Sequence, residues 1–238
     1  MKSQNLDVLS RIVDLDKIEA TKKSINEANG LPNECYLSDE YFKIEREKVF
    51  FNNWIVVGVS SSVPEVGDAK PFNLMGIPLL ILRDKNNKIR VFHNVCSHRG
   101  MILVKEECKI KNTIRCPYHS WSYNFNGELI ATPHVGGMNI HETEGFIKSK
   151  SNLKEISTHV WMDLIFINVN KNKKDFEQSI DPLEKQWSKF ISKEDQKLIR
   201  HARDFGYFNM EVKSNWKLAI ENYCESYHLP WVHPELNR

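Results

Sequence analysis

Two short stretches, Cys96-Ser97-His98 and Cys116-Pro117-Tyr118-His119, are separated by seventeen residues, and each offers one thiolate and one imidazole. If the four donors share one group, the fold must bring both loops to one tip. Two cysteines and two histidines are the ligand set of a [2Fe–2S] cluster in which histidines replace two cysteines on one iron and raise its potential. Cys96 and Cys116 would hold the iron that stays ferric. The imidazoles of His98 and His119 add no negative charge, so the iron they bind is easier to reduce. Structural zinc is the alternative, because two Cys and two His also satisfy a tetrahedron. Zinc fingers usually pair Cys with Cys and His with His, at gaps of about two to four and three to five residues. Here both pairs are mixed and the gaps are one and two residues.

Cys96-Ser97-His98-Arg99-Gly100 and Cys116-Pro117-Tyr118-His119-Ser120-Trp121 closely resemble the two cluster loops of Rieske non-haem iron oxygenase α subunits, the ring-hydroxylating oxygenase family. That family usually carries Gly where Ser120 stands. Both residues are small, and the change reads as tolerated.

The chain has 238 residues with a formal net charge of +2, enough for one complete domain and part of another. Near-neutral charge argues against nucleic acid and against a polybasic membrane surface. No apolar run approaches the roughly 20 residues of a membrane span, and residues 1–30 lack the apolar block of a secretory signal, so a cytoplasmic location is expected. Five cysteines, an odd number, do not read as a disulfide framework. With two assigned to the cluster, Cys35, Cys108 and Cys224 read as small, partly buried apolar residues.

Along the chain, an amphipathic helix is expected around Asp7 to Ile25, and Ser38-Asp39-Glu40 opens another. Short β-rich runs follow at Trp54 to Val59, Pro78 to Leu82 and Ile89 to Phe92, with Asn86-Asn87 as a hairpin tip. Trp121 to Phe125 meets Asn126-Gly127, a two-residue hairpin signal, before Glu128 to Ile130. Val160 to Val169 reads as one strongly apolar closing strand. Residues of about 50 to 170 thus form an antiparallel β-sandwich, the Rieske fold that the resemblance also implies. His134, His141 and His159 read as surface or turn residues. After a polar linker at Asn170 to Lys174, Asp181-Pro182 opens a helix and Arg203 to Val212 reads as a strand.

A second constellation lies near the C-terminal end. Glu221, Glu225 and His228 are spaced i, i+4 and i+7, one face of a helix, and Pro230 would let the chain turn so that His233 faces the same point as His228. This segment resembles the mononuclear iron motif of the same family, a 2-His-1-carboxylate triad with positions open for oxygen and substrate. The resemblance makes His228 and His233 ligands of a non-haem Fe(II) and puts Glu225 in the place of the catalytic acid that bridges the two metal centres. Most members carry Asp there, whereas Glu looks more like the choline and carnitine monooxygenases. Asn222 matches a residue supporting that site.

The resemblance therefore implies an α+β protein: an N-terminal helical arm (1–45), a Rieske [2Fe–2S] domain (46–170) and the start of a helix-grip catalytic domain (175–238). It implies O2-dependent hydroxylation or demethylation of a small organic substrate, aromatic or quaternary ammonium. Electrons would come from NAD(P)H through a ferredoxin or flavin reductase, to a homotrimer or α3β3 assembly. The family takes its carboxylate ligand from an Asp much later in the chain. In a sequence running to Arg238 that ligand is expected to be absent, with Glu221, Glu225 and Asp204 left as candidates, and the 238-residue chain alone is expected to be inactive. A Rieske ferredoxin-like carrier is the alternative, although a carrier needs no second metal motif.

Purified protein is expected to contain iron and acid-labile sulfide, with a midpoint potential in the histidine-ligated range of about −150 to +300 mV. His98→Cys should lower that potential by adding a negative ligand. Zinc without labile sulfide in anaerobically reconstituted protein would overturn the cluster reading.

Overall fold

The computed structural model describes residues 8–170, 175–202 and 210–237. They belong to two compact units, Lys48–Tyr207 and a second that joins Met1–Glu47 to Phe208–Arg238. At the N-terminal side, residues 8–12 are helical and α1 follows at Leu15–Ala20. The continuous helix expected to Ile25 is thus broken. Asp14 accepts the N–H groups of Asp16 at 3.0 Å and Lys17 at 3.4 Å, an N-cap inside the apolar stripe that restarts the helix. Next come α2 (Glu34–Leu37) and α3 (Asp39–Glu45). Ser38 caps α3 as expected, accepting the Tyr41 N–H at 3.2 Å.

Among the described residues, the unit Lys48–Tyr207 has ten strands: β1 Ile55–Val59, β2 Asp68–Leu74, β3 Ile77–Arg83, β4 Ile89–His93, β5 Cys108–Lys109, β6 Ile114–Arg115, β7 Ser122–Tyr123, β8 Leu129–Ala131, β9 Glu155–Trp161 and β10 Leu164–Asn168. They form an antiparallel sheet ordered β1-β10-β9-β4-β3-β2-β5 and a smaller one ordered β6-β7-β8. Strand β3 shows why the layers hold together. Alternate side chains point to opposite faces: Leu79 and Ile81 join a core with Val91, Ile156, Ile165 and Ile167, while Leu80 and Leu82 join Phe92, Ile114, Tyr123 and Leu129. A strand covered on both faces has no polar alternation to show. Strand β2 has no clean pattern either, because Pro71 interrupts it. Proline is tolerated because β5 pairs only Asp68 and Ala69, leaving the rest of β2 as an edge.

The apolar run Val160 to Val169 is two strands, not one. Met162 and Asp163 take φ of 49° and 68°, the left-handed pair of a tight hairpin turn, and β9 folds back on β10. Asp163 tolerates this because its buried carboxylate is engaged. It accepts the Ser61 N–H at 3.1 Å, the Ser61 hydroxyl at 2.7 Å and the His201 N–H at 2.9 Å.

Helix α4 (Phe176–Trp187) begins before the expected Asp181-Pro182 start, because Asp175 accepts the Phe176 N–H. Its Phe176 and Ile180 pack on Phe166, Trp54 and Trp161. Short α5 (Lys193–Gln196) follows. Of the strand expected at Arg203 to Val212, residues 203–209 lie outside the described residues and Met210 to Val212 are not in a strand. Helices α6 (Trp216–Cys224) and α7 (Leu229–Val232) complete the second unit. Cys35 is buried, but Cys108 and Cys224 are exposed, unlike the partly buried positions expected. Among the described residues no helix is long and apolar enough to cross a membrane.

The Asn126-Gly127 tip gives a direct test of packing. Gly127 has φ +81°, and a Cβ there would lie 2.6 Å from Phe92 Cε1. Gly127→Ala should destabilise this unit by about 2–4 kcal/mol, combining left-handed strain with overpacking, as read by urea unfolding of the β unit.

Candidate metal centres

The two cysteine loops are built on one hydrogen-bond pattern. In the first, Cys96 N–H donates to Met101 O at 2.8 Å and Cys96 O accepts from Gly100 N–H at 2.9 Å. In the second, Cys116 N–H donates to Trp121 O at 2.8 Å and Cys116 O accepts from Ser120 N–H at 3.0 Å. The fourth residue after each cysteine must be left-handed, and Gly100 and Ser120 take φ of 68° and 58°. Ser120 thus carries a strain that Gly would avoid, while its hydroxyl accepts from Arg115 at 2.9 Å. Buried Asn94 anchors the first loop, donating to Val104 O at 2.6 Å and accepting Val104 N–H at 3.0 Å.

These loops bring the four expected residues together as two pairs. Cys96 and Cys116 are 3% and 2% exposed, within the core. Burial, together with the nearby Cys116, pushes the Cys96 thiol up, against a hydrogen bond from Tyr123. Tyr123 lies 3.2 Å from Cys96 Sγ and accepts the Ser97 N–H at 3.1 Å. With its oxygen already accepting, the tyrosine hydrogen is free to point at the sulfur. The rings of His98 and His119 lie 4.8 Å apart at the outer side, and His98 stacks on Trp121 at 4.6 Å. Burial and the neighbouring His119 and Arg99 lower the His98 pKa, favouring the neutral imidazole a metal needs. A cleft of about 470 Å³, lined by Tyr118, Arg115 and His134 among others, opens beside the two histidines.

The other constellation is arranged differently from expectation. Helix α6 ends at Cys224, and Glu225 is extended with φ −124° and ψ 154°, so Glu221, Glu225 and His228 do not share one helical face. Instead Glu225 folds over the following turn. Its carboxylate accepts the N–H of His228 at 3.3 Å and of Tyr227, and pairs with His228 Nδ1. Hydrogen bonding to His228 holds Glu225 below the usual carboxylate range. Pro230 does not end a helix. It sits in the first turn of α7, where a missing N–H costs nothing, and places His228 before that helix and His233 after it. The two rings are 5.7 Å apart at 77°. Glu221 is engaged elsewhere, accepting the Tyr36 hydroxyl at 2.6 Å. Asn222 is exposed, and Asp204 lies outside the described residues. His134 and His141 are exposed as expected, each accepting a backbone N–H through Nδ1, whereas His159, also expected at the surface or in a turn, lies within β9 and stacks on Phe176 at 3.8 Å.

Residues 53–144 match the Rieske [2Fe-2S] domain family, and residues 199–238 match the ring hydroxylating alpha subunit (catalytic domain) family. The chain joins a Rieske domain to ring-hydroxylating α-subunit sequence. It is similar to the carnitine monooxygenase oxygenase subunit of Acinetobacter pittii, 30% identical over 203 residues, 85% of this chain and 52% of that one. It also matches the glycine betaine monooxygenase oxygenase subunit of Pseudomonas aeruginosa, at 28% identity over 97% of this chain and 52% of that one. Among solved structures, a quaternary ammonium Rieske monooxygenase in its apo form superposes with a TM-score of 0.75 at 28% identity, over 86% of this chain and 57% of that one. The chain spans about half the length of the curated relatives it matches.

The residues of the Rieske domain fit a two-iron cluster. Among the described residues no three His, Cys, Asp or Glu side chains gather where they could hold a single ion, whereas a [2Fe–2S] group asks for two donors at each iron. Burial disfavours the Cys96 thiolate, a cost that the charge of a bound metal would offset. The sequence reading missed Tyr123 and Asn94. An inward-facing tyrosine on β7 was the available signal, but its contact with Cys96 depends on how the loop folds back.

Tyr123→Phe should leave the cluster bound and lower its potential by about 40 mV. That corresponds to ~1 kcal/mol of differential hydrogen bonding to sulfur in a one-electron couple. Protein-film voltammetry reads the shift, and an unchanged potential would show that the hydroxyl does not donate to Cys96.

Proposed function

We propose that this chain is the cluster-bearing and iron-motif portion of a Rieske non-haem iron oxygenase acting on a small quaternary ammonium compound, by hydroxylation or demethylation. One observation carries the reading: a Glu225–His228 pair, with His233 close by, lies on the same chain as a complete set of cluster donors. An electron carrier has no use for the former. The substrate class is supported by similarity to carnitine and glycine betaine monooxygenase subunits and by glutamate, rather than aspartate, at position 225. An aromatic substrate is the second reading, supported by a match to a 2-aminobenzenesulfonate 2,3-dioxygenase α subunit. In this reading residues 46–170 form the cluster domain, 1–45 an arm, and 175–238 the start of the catalytic domain.

Cys96, Cys116, His98 and His119 would hold the cluster, and His228 and His233 the mononuclear iron. When bound, these groups supply single-electron transfer and oxygen activation. The protein's own contribution is positional. Buried cysteines insulate one side of the cluster site, and His98 and His119 leave the other at the surface, where a redox partner can approach. Glu225 holds His228 through Nδ1, which fixes the tautomer and leaves Nε2 for a metal. A ferredoxin or flavin reductase drawing on NAD(P)H would deliver electrons. One quaternary ammonium Rieske monooxygenase is described in terms of inter-subunit electron transfer, which supports an assembly of several subunits; in our reading it is a trimer or α3β3, with Glu225 linking His228 to His119 of a neighbouring subunit. Five unpaired cysteines favour the reducing cytoplasm.

In a protein that carries this chain together with a whole catalytic domain, Glu225→Ala should leave the cluster spectrum unchanged and lower substrate-dependent oxygen uptake about 10–100-fold, the usual cost of removing a residue that orients a metal ligand. Uptake at the wild-type rate with carnitine or glycine betaine would remove Glu225 from the site.

A further inference from the structure

Helix α6, which leads into the Glu225–His228 turn, is fastened along one face by a polar network that the iron motif does not use. Glu45, at the end of α3, and Lys217, in the first turn of α6, are each 8% exposed. Lys217 Nζ donates to both carboxylate oxygens of Glu45, at 2.7 and 2.8 Å, and Trp216 Nε1 donates to the same carboxylate at 3.1 Å. The ammonium also lies over three aromatic rings, 5.4 Å from Tyr36, 5.5 Å from Tyr41 and 5.2 Å from Trp216. Two further ties flank this cage. Asn215 Nδ2 donates to Tyr36 O at 3.0 Å, and the Tyr36 hydroxyl donates to Glu221 at 2.6 Å.

Lys217 and Glu221 are four residues apart and so lie on one face of α6. Together the contacts fix the roll of the helix about its axis and its height along it. Apolar packing would tolerate a small rotation or slide. A carboxylate gripping an ammonium through both oxygens, beside an indole N–H, does not, because any shift leaves a buried charge unpaired. Glu225 follows the last residue of α6 directly, so an error in roll or height at Lys217 carries to the turn that holds His228.

We propose that Glu45 and Lys217, with Tyr36 as their lateral brace, are positioning residues for the His228–His233 site. This rests on reading those histidines as metal ligands. The network adds no ligand to that site and acts only through the setting of α6.

The test is Co(II) titration of the full chain, following the ligand-field bands, in wild type and three variants. Wild type should show Co(II) bands that vanish in His228→Ala; no such binding would overturn the iron-motif reading itself. Lys217→Met should weaken Co(II) binding at least tenfold while the cluster's visible spectrum stays unchanged. The double variant Glu45→Leu/Lys217→Met removes both charges, so its thermal stability should return toward wild type while Co(II) binding stays weak. Recovery of Co(II) affinity together with stability would overturn the positioning role and leave the pair merely structural. If the Lys217 variants do not fold, Tyr36→Phe decides. It removes one hydroxyl and should weaken Co(II) binding by about threefold, and an unchanged affinity there overturns the proposal.

Discussion

Two cysteine sulfurs must be held close together inside the core if they are to grip one iron, and the β unit is arranged around that demand. Cys96 and Cys116 end inside the core formed by Leu80, Leu82, Phe92 and Tyr123, and burial there pushes the Cys96 thiol up. The matched backbone bonds of the two loops set both sulfurs at comparable depth, and the same turns carry His98 and His119 outward. The asymmetry between a dry cysteine side and a wet histidine side thus follows from one loop geometry used twice.

Such loops are only as stable as the strands beneath them. Strand β3 is covered on both faces, so its position is fixed from two directions. Its neighbour β4 leads into Asn94, whose side chain closes on Val104 from both N–H and carbonyl. A loop pinned at its base by a buried amide cannot slide relative to the sheet without stranding that amide. The cluster site is therefore coupled to the centre of the fold rather than to its flexible rim.

What was legible in the sequence was whatever local chemistry decides. The Cys-His spacing and the Ser38 cap each act over a few residues, and each appears where it was read; the hairpin signalled by Asn126-Gly127 also forms, but its turn is one residue earlier, at Phe125-Asn126, with Gly127 closing it on Asn124 O. Tertiary context decided the rest. The run Val160 to Val169 hides a hairpin because Met162 and Asp163 are not ordinary turn residues; Ser61 and His201, distant in sequence, make the turn affordable by satisfying Asp163. Likewise the i, i+4, i+7 spacing of Glu221, Glu225 and His228 suggested a helical stripe, but the Glu225 carboxylate captures the next N–H groups and ends the helix. Tyr123 gave no motif, since its role exists only once a loop has folded against it.

Helix α6 shows how misleading polarity can be as a guide to burial. Its Lys217 is among the buried residues, while Leu218, Ile220 and Tyr223 are exposed in this structure. A hydrophobic pattern alone would turn the helix the other way. The ammonium of Lys217 can be buried because every one of its demands is met at once, by a bidentate carboxylate and by three ring faces. Such a pair adds little to net stability, yet it admits one orientation only. A helix that must deliver Glu225 and His228 to a defined place gains more from that single orientation than from a larger but more permissive apolar contact.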